Sequence, residues 1–265
     1  MYIHNLDPVL VDFGLIVIRW YSLAYIIGIL AGWWLGKRII NYKNKFKQVS
    51  INTKEFDDLL SLIIISIIIG GRLGYILFYN LNFYLENPLE TIKIWKGGMS
   101  FHGAMIGIII ISYFFSKKKN VQFFCIADVI ACVAPIGIFF GRIANFINAE
   151  LYGLPTTVAW SVIFPNIDDL PRHPSQLYES ALEGILLVVI LNFIIFRKNY
   201  KNGLCSGLFL FLYGIFRIFV ERFREPDAQI GYLFGQISMG AFLSFLMVLT
   251  GIIIIIMVKR NEFKF

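Results

Sequence analysis

The chain has 265 residues, of which 58% are hydrophobic, 17% aromatic and 15% charged, and its mean hydropathy is +0.71. That composition excludes an ordinary soluble domain and is that of a polytopic membrane protein. The net charge of +7 does not point to nucleic acid, because the basic residues stand between apolar runs, where they set topology; no nucleic-acid partner is expected.

Seven apolar segments are expected to cross a hydrocarbon core, which takes about 20 helical residues. They are Leu15–Gly36, Phe56–Phe78, Met99–Phe115, Phe123–Phe140, Leu177–Phe196, Leu204–Val220 and Phe234–Val258. The third and fourth are short and carry Gly103, Gly107, Pro135 and Gly137, which permit close approach or bending. The expected fold is all-α, a single membrane-embedded domain over residues 1–265. The stretch Ile143–Gln176, with Pro155, Pro165, Pro171 and Pro174, forms a small cap between helices four and five. Acidic Asp7 and Asp12 in place of a basic n-region argue against a cleavable signal peptide. Cys125, Cys132 and Cys205 read as small core residues, with no second thiol at metal or redox spacing.

The connections after spans one, three, five and seven hold 15 of the 24 basic residues, including Lys37, Arg38, Lys117 to Lys119, Arg197, Lys198, Lys259 and Arg260. By the positive-inside rule those connections are cytoplasmic, so the amino terminus and the cap face outward and the carboxyl terminus inward. The other nine are Arg19, Arg72, Lys93, Lys96, Arg142, Arg172, Arg217, Arg222 and Arg224. Arginine is thus concentrated on the outer side, where a planar guanidinium suits bidentate capture of phosphate or carboxylate.

Polar groups inside apolar runs are the candidate site residues. In the first two spans these are Arg19-Trp20-Tyr21, which equally suit an interfacial belt, and Arg72 within Gly70-Gly71-Arg72-Leu73-Gly74. Arg72 should snorkel outward or pair with Glu150 or Glu221. The third span opens at Gly97-Gly98-Met99-Ser100-Phe101-His102-Gly103, a lone histidine with glycines clearing space around it. At the end of the fourth span, Arg142 and Asn145 lie about 60° apart on a helix and Glu150 about 80° to the other side of Arg142. Such a helix end dipping into headgroups would also carry these residues. In Arg172-His173-Pro174-Ser175-Gln176-Leu177-Tyr178-Glu179, with Glu183 beyond, Ser175 reads as a helix cap and His173 as its support, while Gln176 and Glu179 can reach the site. In the sixth span Tyr213, Arg217, Glu221 and Arg224 form one polar stripe at about 0°, 40°, 80° and 20°, and Arg222 points away.

The run Gly141-Arg142-Ile143-Ala144-Asn145-Phe146-Ile147-Asn148-Ala149-Glu150-Leu151-Tyr152-Gly153 resembles the signature of the bacterial prolipoprotein diacylglyceryl transferases at every defined position. The His102-Gly103 pair, the His173–Glu179 run, the Tyr213–Arg224 stripe and the Pro226-Asp227-Ala228-Gln229 closure resemble the same family in the same order. Ala104-Met105 stands where many members show Gly-Leu. The resemblance implies transfer of a diacylglyceryl group from phosphatidylglycerol to the lipobox cysteine of a prelipoprotein, in the bacterial inner membrane, with no cofactor or metal. It implies His102, Arg142, Arg217, Tyr213 and Glu221 as catalytic residues. Arg142, Asn145, Asn148, Glu150, Gly153, Arg217, Arg224 and Tyr21 would hold the lipid, with Arg142 and Arg217 bracketing its phosphate. From the residues alone, a transporter for an anionic solute or a lipid-binding scaffold remains open, though no pair of broken helices marks alternating access.

Overall fold

The computed structural model describes residues 1–14, 17–46, 51–225, 232–233 and 237–260, without the side chains of Lys96, Phe101, His102, Tyr232, Leu233 and Ile237. The expected helix closure at Pro226 to Gln229 lies outside the described residues, as does the seventh segment's first residue, Phe234. The chain forms two compact units, Lys37–Ala127 and Met1–Gly36 with Asp128–Phe265.

Among the described residues, five helices are long and apolar enough to cross a membrane: α1 (Trp20–Asn44), α2 (Thr53–Tyr79), α5 (Phe123–Ile147), the continuous Ser175–Ile195 segment and α9 (Met239–Lys259). A shorter apolar helix, α8, covers Leu204–Val220, as expected from sequence. The Ser175–Ile195 segment is α6 (Ser175–Glu179), a π-helical stretch at Ser180–Leu186 and α7 (Leu187–Ile195). The ends differ from expectation in two places. Helix α1 begins at Trp20 rather than near Leu15, because β2 (Val9–Asp12) and β3 (Val17–Arg19) pair antiparallel ahead of it. Helix α5 continues past Phe140 to Ile147, which puts Arg142 and Asn145 on its last turns. The fold is also not purely helical: β1 (Tyr2–Ile3), β4 (Val162–Ile163) and β5 (Pro171–Arg172) form a small sheet in the order β1-β4-β5.

In the Lys37–Ala127 unit, α2 packs on α4 (Phe101–Lys119) through glycines. A Cβ on Gly74 would lie 2.6 Å from the Gly103 Cα and one on Gly107 would lie 2.5 Å from the Ser66 carbonyl oxygen, so backbones meet where side chains would hold them apart. Asn52 and Glu55 form a reciprocal cap on α2, and Ser100 caps α4. Between these helices run α3 (Leu81–Glu86) and two 3-10 turns at Pro88–Ile92 and Ile94–Lys96. Among the described residues Arg72 meets backbone carbonyls in place of the expected carboxylate. Its guanidinium donates to the carbonyls of Glu90 (2.6 Å), Thr91 (2.9 Å), Lys93 (3.2 Å) and Gly98 (3.2 Å), and to that of Gly97. The 3-10 turns leave carbonyls that a five-donor fork can satisfy together, which is why this arginine is buried without an anion.

In the other unit, α8 and α9 cross closely: a Cβ on Gly214 would lie 2.7 Å from the Ser244 carbonyl oxygen, and one on Gly251 2.6 Å from the Phe211 nitrogen. The buried Asp128 carboxylate accepts from Ser206 N (2.7 Å), Ser206 Oγ (2.6 Å), Gly203 N (2.5 Å) and the Tyr200 hydroxyl. These bonds satisfy amides at the α8 N-terminus and fix it to α5.

Candidate active site

Three helices deliver charge to one buried point. Arg142, on the last turns of α5, places Nε 3.1 Å from Glu179 Oε2 and Nη2 3.6 Å from Glu183 Oε2. Arg217, near the end of α8, pairs with Glu179 Oε1 and places Nη2 2.8 Å from Glu221 Oε2. Arg224 Nη1 donates to the same Glu179 Oε1 at 2.9 Å. Glu221 also accepts from Ser238 Oγ (2.7 Å), the residue that caps α9. One carboxylate therefore receives three guanidinium groups, and three glutamates balance three arginines. The side chains of Glu179 and Glu183 have no exposure, whereas Arg142 keeps 18%, Glu221 12% and Arg217 11%. Tyr213 is buried within electrostatic reach of Glu183, Arg142 and Arg217.

The local backbone explains this convergence. The chain widens into a π-helix immediately after Glu179, a distortion common at functional sites, and Gly184 within it lies against Phe139 of α5, where a Cβ would come 2.7 Å from the Phe139 Cβ. Glu221 is the C-cap of α8, so the helical stripe stops there. Arg224 was expected on that stripe but reaches Glu179 from extended backbone instead. Residues 223–225 pair with residues 152–154, through Leu154 N to Phe223 O (2.9 Å) and Glu225 N to Tyr152 O (3.2 Å). A ladder that satisfies these amides beats one more helical turn.

A second cluster lies one turn along α5. Asn145 Nδ2 donates to the Tyr21 hydroxyl (2.9 Å) and to Glu150 Oε2 (3.3 Å), and Asn148 Nδ2 reaches Glu150 Oε1 at 3.5 Å. Glu150 was placed by helical angle, but α5 ends at Ile147 and the chain turns through Ala149 and Leu151 at φ 55° and 56°. Left-handed backbone at residues with a Cβ costs roughly 1–2 kcal/mol each and holds the carboxylate back against its own helix end.

Gly153 joins the clusters. Its amide donates to His173 O (3.0 Å), and a Cβ there would press on the carbonyl oxygens of both His173 and Phe223. Gly153→Ala should therefore spread the ladder that carries Arg224, lowering stability by about 1–3 kcal/mol and reducing activity with it; thermal unfolding in detergent beside turnover checks this. Arg172 braces the same ladder, donating to Gly153 O (3.0 Å), to Asp168 (3.1 and 3.2 Å) and to Glu225. These bonds from Arg172 hold the Asp168 carboxyl below the usual carboxylate range and raise the guanidinium's own affinity for its proton. A depressed carboxyl contributes above its unfolded pKa and stops contributing as pH falls through the folded value, so this brace persists into acid. Ser175 does not cap α6: it is the first helical residue and its Oγ donates to Leu151 O (3.0 Å), so His173 supports no such cap. The His173 ring packs on Tyr178 and Phe223, Nδ1 lies 3.1 Å from the Tyr178 hydroxyl, and burial lowers its proton affinity.

The structure thus brings together Arg142, Tyr213, Arg217, Glu221 and Arg224, and beside them Tyr21, Asn145, Asn148, Glu150 and Gly153. Arg222 is exposed, in the turn that follows α8. His102 lies in the first turn of α4 in the Lys37–Ala127 unit, and its side chain lies outside the described residues. Sequence reasoning underweighted Glu179 and missed Glu183 as a partner of Arg142; the signal was available, as two carboxylates four residues apart inside an apolar run need cations nearby. Ser238 was not legible, because it touches Glu221 only through tertiary packing.

Residues 8–257 match the family model for prolipoprotein diacylglyceryl transferase. The chain is 50% identical over 254 residues to the phosphatidylglycerol–prolipoprotein diacylglyceryl transferase of Rickettsia bellii (strain OSU 85-389), covering 95% of each chain. Proteins of the same name from Rickettsia typhi and from Ehrlichia ruminantium (strain Welgevonden) are each 49% identical over 95% of this chain and 96% of their own.

Proposed function

The chain belongs to the prolipoprotein diacylglyceryl transferase family, and from that premise we propose how its residues perform the reaction. It is a multi-pass inner-membrane transferase that moves the diacylglyceryl group of phosphatidylglycerol to a prelipoprotein, the first step of lipoprotein maturation. The group transferred is sn-1,2-diacylglyceryl and the acceptor is the lipobox cysteine thiol. The glycerol carbon gains a bond to sulfur and loses its bond to the phosphate oxygen, which leaves as glycerol 1-phosphate. The thiol proton ends on a protein base or on solvent.

The observation that carries this reading is the meeting of Arg142, Arg217 and Arg224 on Glu179. In the resting site the Glu179 carboxylate occupies the place where a phosphate is gripped. A bound lipid phosphate takes donors from Arg142 and Arg217, whose side chains keep 18% and 11% exposure. As the carbon–oxygen bond breaks, charge gathers on the phosphate oxygens, and fixed guanidinium donors stabilise that state more than the ground state. Asn145, Asn148, Glu150 and Tyr21 order the glycerol headgroup beside the phosphate.

A thiol with a pKa near 8.5 is mostly protonated at neutral pH, so a base is required, and His102 and Tyr213 are the two candidates. His102→Gln and Tyr213→Phe, assayed separately, should differ in thioether formation; equal, mild losses would remove both from that role. In this reading α4 and α8 complete a set of seven spans, the amino terminus and the 143–176 cap face outward, and the carboxyl terminus is cytoplasmic. Purified protein in detergent should consume phosphatidylglycerol only when a lipobox peptide is present. Consumption without peptide, or none with it, defeats the assignment.

A further inference from the structure

Gln176, in the first turn of α6, is completely buried. Its carboxamide is oriented by a single strong contact, Nε2 donating to the Glu150 backbone oxygen at 2.6 Å. Only the amino side of a carboxamide can face a carbonyl, so the other atom, Oε1, is an acceptor directed elsewhere. That oxygen is buried and has no hydrogen-bond partner among the described residues. A buried acceptor without a donor is costly, and one kept in that state awaits a donor from outside the chain. Its position is informative. Gln176 donates to the backbone of the residue whose carboxylate collects Asn145 and Asn148, and it stands on α6 three positions before the Glu179 hub, which links it to both clusters.

We infer that Gln176 Oε1 accepts a hydrogen bond from a hydroxyl of the donor lipid's polyol headgroup, making Gln176 a headgroup-reading residue. This rests on the functional reading above and deepens it. Phosphate offers no donor, so the arginines cannot distinguish one phosphodiester from another; a neutral acceptor placed beside them can. The partner is chemically defined as an uncharged hydroxyl attached two or three bonds beyond the phosphate.

The test uses full-length protein in mixed micelles with a lipobox peptide and two donors of matched acyl chains, phosphatidylglycerol and phosphatidylpropanol, whose headgroup lacks both free hydroxyls. The wild-type enzyme should prefer phosphatidylglycerol by about 10–100-fold in kcat/KM, because a buried group built to pair with a hydroxyl rejects an analogue without one. Gln176→Met, which removes acceptor and donor at similar size, should lose that preference by raising KM for phosphatidylglycerol while leaving the phosphatidylpropanol reaction nearly unchanged. Equal losses on both lipids mean that Gln176 only positions Glu150 and that water satisfies Oε1, which overturns the inference. Equal use of both lipids by the wild-type protein overturns it without any variant. Failure of the wild-type protein to use either lipid would instead strike the underlying assignment.

Discussion

Arg142→Gln should lower the rate of thioether formation by about 10²–10³-fold, the usual consequence of removing one fixed donor from a developing oxyanion. Arg142 is the most exposed of the three converging arginines, at 18%, and its guanidinium bridges Glu179 and Glu183. The loss should fall mainly on kcat, because the charge it meets grows as the carbon–oxygen bond breaks. Glutamine keeps a carboxamide donor and much of the volume, and Glu179 still has Arg217 and Arg224, so the fold should persist. Arg142→Lys should recover only part of the rate, since a point charge cannot serve Glu179, Glu183 and a phosphate with one fork. A normal rate in Arg142→Gln, with unchanged thermal unfolding, would remove this residue from the chemistry.

Glu179→Gln should act first on stability. Three buried or nearly buried guanidinium groups lose their shared anion, and removing one side of a buried ion pair costs roughly 3–5 kcal/mol. Thermal unfolding in detergent should therefore shift down clearly, in contrast to Arg142→Gln. Activity should fall in parallel, because arginines that repel one another no longer hold their spacing. Added phosphatidylglycerol should restore part of the lost stability, since its phosphate supplies the missing charge. A Glu179→Gln protein as stable as wild type, with or without lipid, would show that the carboxylate is not what assembles the arginines.

These two residues also show how far sequence reaches. Arg142, Asn145, Arg217 and Glu221 were legible because ionisable groups inside apolar runs have few explanations, and helical angle placed those on α5 and α8 correctly. Angle failed where the helices stop. Glu150 and Arg224 both lie past a helix end, at positive-φ turns in one case and in a strand ladder in the other, and such geometry depends on partners distant in sequence. Arg72 failed for a different reason: a carboxylate is the usual partner of a buried arginine, but a looped backbone offered carbonyls enough. Five of the expected spans, and the shorter apolar helix α8, followed from hydropathy alone. Their ends differ from hydropathy, with α5 continuing seven residues past Phe140 and α1 starting at Trp20 behind two short paired strands that carry almost no compositional signal.

The most direct measurement is an experimental structure with phosphatidylglycerol bound, reporting the distances from the phosphate oxygens to the guanidinium nitrogens. The account predicts a phosphate shared by Arg142 and Arg217, with charge-assisted contacts of about 2.7–2.9 Å to each. A lipid phosphate bound elsewhere, with both arginines still committed only to Glu179, would contradict it.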